Sequence, residues 1–192
     1  VCDHTREDAT ATWTVARDEL CTWDGNLHSD AVAATVFTHF VHALMDHGLA
    51  DELQGGAEGD VWRYVLSTPL IEANIDWLWE RSADDPVWDN IRTPIVETRD
   101  DIVLRAFETA VDTAADQYGD NVHTWQWGTV RPFELRHALF GTVPILRGIF
   151  NGPQLPGRGA AETVFKNQFL RSDRTEMHPG FGPVFRLSLI HI

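Results

Sequence analysis

"SDAVAATVFTHFVHALMDHG", residues 29–48, decides the fold. Ala33, Val36, Phe37, Phe40 and Leu44 recur three and four residues apart, the period of an amphipathic helix with one apolar stripe to bury. Ser29 or Asp30 stands where an N-cap belongs, since a short side-chain oxygen there can accept from an unpaired N–H of the first turn. Gly48 is the expected C-terminal stop. At about 100° per residue, His39, His42 and Asp46 fall opposite the stripe and read as a solvent face, although with His47 they also invite a metal-site reading. Residues three and four apart could converge on a metal ion, but no His-Glu-x-x-His or Glu-x-x-His element accompanies them. No metal ligand is therefore assigned here.

On the N-terminal side, Thr10 to Thr22 carries Trp13, Ala16 and Leu20 at helical spacing until the turn "WDGN" ends it. On the other side, residues 51–93 are less periodic. A short helix is expected around "DVWRYVL" (residues 60–66), and prolines and Asp-Asp-Pro break the rest into short helices and loops. "TRDDIVLRAFETAVDTAADQYG" (residues 98–119) is a second long helix, with Thr98 and Asp101 as a capping box and Gly119 as its end. Val103, Phe107, Val111, Ala114 and Tyr118 make its buried face.

Beyond Gly119, "VHTWQWGTV", "FELRHALFG" and "GPVFRL" are rich in aromatic and β-branched residues separated by Gly and Pro, and read as strands and loops. "GIFNGPQLPGRGAAETV" between them suits a long surface loop. The fold class is α+β, helical over about 5–119 and strand-containing over about 120–186, with no internal repeat.

At 192 residues and 43% hydrophobic, the chain suffices for one packed domain or a large piece of a bigger one. Its 29 acidic residues against 15 basic ones give a net charge of -14, with acids spread along the sequence, which excludes a phosphate-backbone binder. Lys166 is the only lysine, and the surface reads as the hydrated acidic coat of a halophile, in which salt screens self-repulsion. Cys2 and Cys21 are too few for a disulfide framework and leave the redox compartment open. No apolar run is long enough to span a bilayer. "VCDHTRED" already lies inside a helix-like pattern, so a longer polypeptide is expected upstream. "LSLIHI" (residues 187–192) is set aside as a sequencing or cloning artefact.

The paired acids Asp100 and Asp101, Asp84 and Asp85, and Glu7 and Asp8 are neighbours whose side chains point apart, so they suit caps and solvated charge better than acid/base work. Ser29, Ser67, Ser82 and Ser172 lack a Gly-x-Ser-x-Gly setting. "GRGAAETV" lacks the Lys-Ser/Thr of a phosphate loop. Eight tryptophans raise the alternative of a carbohydrate-binding module, but Trp13, Trp62 and Trp77 sit in helical patterns that favour the core.

Taken together, four stretches resemble the C-terminal part of the β-chain of the penicillin acylase family, N-terminal-nucleophile amidohydrolases that include penicillin, aculeacin and acyl-homoserine-lactone acylases. "LCTWDGNLHSDAVAATVFTHF" (residues 20–40) resembles the family's "L..WDG....S.AA..F..F", and "TRDDIVLRAFETAVDTAADQYG" its following long helix. "WQWGTVRPFELRHALFG" (residues 125–141) resembles "W.WG.LH...F.HPL", and "GAAETVFKN...GPVFR" a late pair of strands. Arg131 stands where the family usually has its first histidine, Ala138 replaces the proline after His137, and Phe165 and Val184 replace Asn and Ser.

The resemblance implies an αββα fold, with residues 1–186 as a C-terminal portion of the β-chain; the acidic, lysine-poor composition adds the expectation of a haloarchaeal source. It implies hydrolysis of acyl amides such as penicillins or N-acyl-homoserine lactones by an N-terminal serine, with its α-amino group as base and a backbone N–H and an asparagine as oxyanion donors. That serine, the asparagine and the calcium ligands of some members belong to earlier stretches of the family. No catalytic, substrate-binding or metal-ligating residue is therefore assigned to this chain, and no cofactor. Its expected partners are the acyl amide substrate and the remainder of its own precursor, with an extracellular or cell-envelope location. Trp125, Trp127, Phe133, Leu135 and Leu139 are expected to form a structural strand pair, with Arg136 and His137 at its polar edge. A nonenzymatic relative of the acylases is the other alternative.

Overall fold

The computed structural model describes residues 1–3, 9–53, 70–134, 137, 139–141, 143–160 and 163, and the backbone of 168–169 and 179–181; for 70–74 and 134 it describes backbone only. The expected helix around "DVWRYVL" and residues Glu7, Asp8, Trp62, Ser67, Leu135, Arg136, Ala138, Phe165, Ser172 and Val184 lie outside the described residues or side chains.

Three helices carry the fold: α1 (Ala11–Cys21), α2 (Val32–Leu49) and α4 (Arg99–Tyr118), with α3 (Leu70–Trp79) between the last two in sequence. Thr10 caps α1 by accepting from the Trp13 N–H at 3.1 Å. Thr98 and Asp101 form the expected capping box of α4, the Asp101 carboxylate accepting from the Thr98 N–H at 2.9 Å. Hydrogen bonds from the Thr98 side chain and then its backbone hold the Asp101 carboxyl below its usual pKa. Gly119 follows at φ 85°, a conformation that a residue with a Cβ adopts only with strain.

The packing corrects the reading of α2. It lies at the centre, against α1, α3, α4 and the segments after Gly119, and its residues Val32 to Val36 are all buried. A helix covered on several sides has no broad solvent face, and His39, placed there by periodicity, is 4% exposed. Phe37, assigned to the buried stripe, is partly exposed and meets Trp23 with ring centroids 5.3 Å apart. The N-cap is Ala31 and makes no side-chain hydrogen bond; neither Ser29 nor Asp30 caps the helix. Gly48 is not the stop. It lies inside α2, where an added Cβ would stand 3.2 Å from Leu78 Cδ2 and 3.8 Å from Trp88, so its smallness sets how closely these elements approach.

One core cluster joins Trp13, Val36, Phe107, Val111 and Trp125, with Trp13 edge-on to Phe107 at 5.3 Å. A second joins Leu44, Leu78, Trp88, Ile102 and Ala106. The α4 face read from the sequence is in place, and Ile102, Ala106 and Ala110 widen it to meet this second cluster. Short pieces fill the proline-broken region, including a 3-10 turn at Pro86–Trp88 capped by Asp85, whose carboxylate accepts from the Val87 N–H at 3.0 Å.

The segment after Gly119 is less extended than expected. "VHTWQWGTV" folds as a 3-10 turn, Val122–Thr124, and one helical turn, α5 (Trp127–Val130). In a strand, Trp125 and Trp127 would point to the same face. Here they enter different clusters, which the tight turn between them permits. After a further turn, α6 (Arg147–Phe150), the described strand pieces are two or three residues long, and the expected strand "GPVFRL" lies outside the described residues. β1 (Phe133–Glu134) pairs antiparallel with β2 (Gln154–Leu155), and β3 (Gln168–Phe169) with β4 (Pro179–Phe181). Leu139 is exposed and belongs to no strand.

Cys2 and Cys21, which composition left open, form a disulfide with Cα atoms 5.7 Å apart. It fixes Val1 beside the fold, where Val1 packs against both main core clusters. The acids are also less evenly spread than their frequency suggested. Residues 1–120 hold 25 acidic and 7 basic side chains, whereas residues 121–192 hold 4 acidic and 8 basic ones. The helical part is strongly acidic and the part after it mildly basic.

Candidate functional site

The stretch "WQWG" meets the entry of α2 and the loop after β2 at one joint. The Trp125 indole N–H donates to the Gly119 carbonyl at 2.8 Å, and the Trp127 indole N–H to the Gly159 carbonyl at 3.1 Å. The backbone N–H groups of Trp127 and Gly128 donate to Ala31 and Ser29 at 3.1 and 2.7 Å. Gly157 and Gly159 donate in turn to Gly128 and Leu27 at 3.3 and 3.0 Å. Three chain segments thus satisfy one another's buried backbone groups, which would be costly to leave unpaired. Two glycines permit this approach. A Cβ on Gly128 would lie 2.8 Å from Ser29 Cβ and 2.9 Å from Pro156 Cβ, and one on Gly157 would run into the Arg131 carbonyl oxygen.

Inside the joint is a polar group of three side chains from three elements: His39 on α2, Tyr118 at the end of α4, and Arg131 just after α5. The His39 imidazole Nε2 lies 3.3 Å from the Tyr118 hydroxyl. Arg131 is 2% exposed and its guanidinium carbon sits 4.6 Å from the centre of the Trp127 ring, a cation–π contact. Burial, and then the Arg131 charge, lower the His39 pKa to about 4, so the imidazole is neutral at ordinary pH. Burial also pushes the Tyr118 hydroxyl up to about 12, with Arg131 opposing that shift. A neutral imidazole and a neutral phenol can exchange one hydrogen bond beside a fixed cation. The described contacts of these three side chains join α2, the end of α4 and the segment after α5, and so hold the joint together.

The other sequence candidates disperse. His47 is hydrogen-bonded to Thr109 on α4 at 2.9 Å, away from His39, and burial lowers its pKa. Among the described residues no three His, Cys, Asp or Glu side chains come together as metal ligands, for calcium or otherwise. Asp101 and Asp85 are caps, while Asp84 and Asp100 are exposed. Ser29 offers its carbonyl to Gly128, and Ser82 offers its own to the Trp88 indole N–H at 2.9 Å.

Four tryptophans, Trp13, Trp88, Trp125 and Trp127, are core. Trp77, expected in the core, is 43% exposed, and Trp79 is 54% exposed. Arg81 lies over Trp77 at 4.7 Å and Arg99 over Trp79 at 5.6 Å, so guanidinium groups compete for the indole faces that a sugar would need.

Sequence reading missed a second polar knot. The buried Glu97 carboxylate pairs with Arg105 and accepts from the Asn90 N–H at 3.1 Å. Asp51 accepts from the Ile91 N–H at 3.0 Å, while Arg92 donates to the carbonyls of Asp51 and Leu53. These contacts tie the 89–98 loop to the end of α2, and no local spacing announces them.

The penicillin amidase family matches residues 2–189. The acyl-homoserine lactone acylase QuiP of Pseudomonas aeruginosa is 31% identical over 133 residues, covering 68% of this chain and 16% of that protein. The QuiP acylase of Pseudomonas fluorescens is 29% identical over 125 residues, covering 64% of this chain and 15% of its own length. That of Pseudomonas syringae pv. syringae is 25% identical over 179 residues, covering 89% and 21%. The chain therefore spans about a sixth to a fifth of the curated relatives it matches. With the match running almost from end to end, this chain belongs to the penicillin amidase family.

Proposed function

We propose that this chain is a C-terminal portion of the β-chain of a longer amidohydrolase with the αββα fold, which splits the linear amide of N-acylated substrates. The observation that carries this is the family match over residues 2–189. The names of the relatives favour N-acyl-homoserine lactones as the substrate class. In this reading the nucleophile is an N-terminal serine outside the chain. Its hydroxyl oxygen attacks the acyl carbonyl, the serine proton passes to the α-amino group and on to the leaving amine, and the C–N bond breaks to leave an acyl-serine ester. Water then cleaves the ester and releases the acid.

The residues described above serve that chemistry by holding the frame. The core tryptophans, the His39–Tyr118–Arg131 joint and the Glu97 knot fix helices and loops against which the catalytic layers can be built. The Cys2–Cys21 disulfide supports an oxidising compartment such as the cell envelope or the exterior. The acidic surface supports a protein adapted to salt.

The test is to incubate the full-length polypeptide containing these residues with N-acyl-homoserine lactones of several chain lengths and with a phenylacetyl amide. Chromatography with mass detection should show the free acid together with the free amine. Intact substrates would place the protein among nonenzymatic relatives, and opening of the lactone ring with the amide retained would refute the amide assignment.

A further inference from the structure

The Cys2–Cys21 bond holds a seam in the core. Val1 and Phe40 are partly buried residues that pack against both main core clusters, the one around Trp13, Phe107 and Trp125 and the one around Leu44, Leu78 and Trp88. Phe40 is fixed at the seam by α2 and meets Phe107 with ring centroids 6.3 Å apart. Val1 reaches the same seam from outside any helix. Among the described contacts, its packing and the neighbouring disulfide are what join residues 1–3 to the helices. Packing alone does not suffice, because ordering the backbone of three residues costs more than the contacts of one partly buried valine return. The covalent bond therefore keeps Val1 in place. It is also open to attack in the folded protein, since Cys2 and Cys21 are both exposed.

We propose that the Cys2–Cys21 bond is a redox-sensitive latch: oxidised, it keeps Val1 on the seam; reduced, it lets residues 1–3 leave and uncovers Phe40 while the core of α2 and α4 stays folded. The reductant is a dithiol, acting by thiol–disulfide exchange. One thiolate of the dithiol attacks the sulfur of Cys2 or Cys21, the S–S bond breaks, and the displaced cysteine thiolate takes up a proton. The remaining thiolate of the dithiol then attacks its own partner sulfur in the mixed disulfide, closing a cyclic disulfide and releasing the second cysteine as a thiol. The two electrons lost by the dithiol are those gained by the protein's bond. The rest of α1 keeps its seat after this step, because Trp13 and Ala16 are buried in the first cluster and Thr10 caps the helix without help from the bond. The latch is thus shut in an oxidising compartment and open in a reducing one.

The experiment labels side chains of the full-length polypeptide with hydroxyl radicals under native conditions, before and after treatment with dithiothreitol and blocking of free thiols, and maps the products by mass spectrometry. Reduction should raise labelling of Phe40 several-fold and leave Phe107, which is 0% exposed, unchanged. Reoxidation of an unblocked portion should restore the first pattern. A variant carrying Cys2→Ser and Cys21→Ser should show the raised Phe40 labelling with or without the dithiol, which separates loss of the bond from any other action of the reductant. Equal Phe40 labelling in the oxidised and reduced parent, Phe107 labelling that rises alongside it, a folded variant that labels like the oxidised parent, or a bond that dithiothreitol opens only in denaturant would each overturn the proposal. Should the variant fail to fold, the reduced parent alone decides.

Discussion

Replacing both Cys2 and Cys21 by serine should destabilise this chain by about 3 kcal/mol. The cysteines are 19 residues apart in sequence, so the bond closes a loop of roughly 20 residues in the unfolded chain. The chain-entropy relation for a loop of that size gives about 3 kcal/mol at 25 °C. The reduced protein also loses the constraint that keeps Val1 against both core clusters, so the effect should not fall below the loop term. For a protein of this length the loss corresponds to about 6 to 12 °C in unfolding temperature. The assay is urea unfolding of the chain and the double variant, followed by tryptophan fluorescence, because Trp13 and Trp125 sit in a cluster against which Val1 packs. Reductant should lower the midpoint of the parent and leave the variant unmoved. A difference under about 1 kcal/mol, or free thiols at both cysteines in non-reducing peptide maps, would refute the reasoning.

His39 makes acid sensitivity predictable. Its pKa is 6.5 when unperturbed and about 4 in the fold, so between these values the unfolded chain binds a proton that the native chain does not. Its contribution is fully present above pH 6.5 and is lost as pH falls towards 4, by roughly 3 kcal/mol in all. A His39→Gln variant should show a shallower decline of stability across that window, and superimposable slopes would contradict the assignment. Gly128→Ala should cost about 1–3 kcal/mol, because its new Cβ meets Ser29 and Pro156 at under 3 Å, and chemical denaturation measures the loss. Thr98→Ala should cost about 1 kcal/mol through the lost cap of α4, read as a lower thermal midpoint, whereas Asp112→Ala on the exposed side of that helix serves as the neutral comparison. Unfolding midpoints of the acidic chain should rise from low to multimolar KCl; a flat or falling series would remove the salt-adapted reading.

The long helices were legible because their signals are local. The capping box of Thr98 and Asp101, the terminal Gly119 and the α4 stripe are set by neighbours within one or two turns. What periodicity could not show was how many sides of α2 are covered, since that depends on elements distant in sequence. His39 therefore looked solvated and Phe37 buried, and both assignments reverse once α2 is central. Aromatic richness misled at Trp125 and Trp127, where a large side chain serves a turn between helices as well as it serves a strand. The Glu97–Arg105 pair, Asp51 and the Cys2–Cys21 bond are contacts made by the finished fold. The family was readable because several motifs in one order carry more information than any single motif.

The central claim is that these residues frame a hydrolase whose nucleophile lies outside them. It is tested most directly by trapping the acyl-enzyme of the full-length polypeptide with a slowly hydrolysed acyl ester and locating the adduct by peptide mapping. The account predicts a single acyl group on a serine outside residues 1–192. An acyl group that forms with turnover kinetics on Ser29, Ser82 or any other residue of this chain would contradict it.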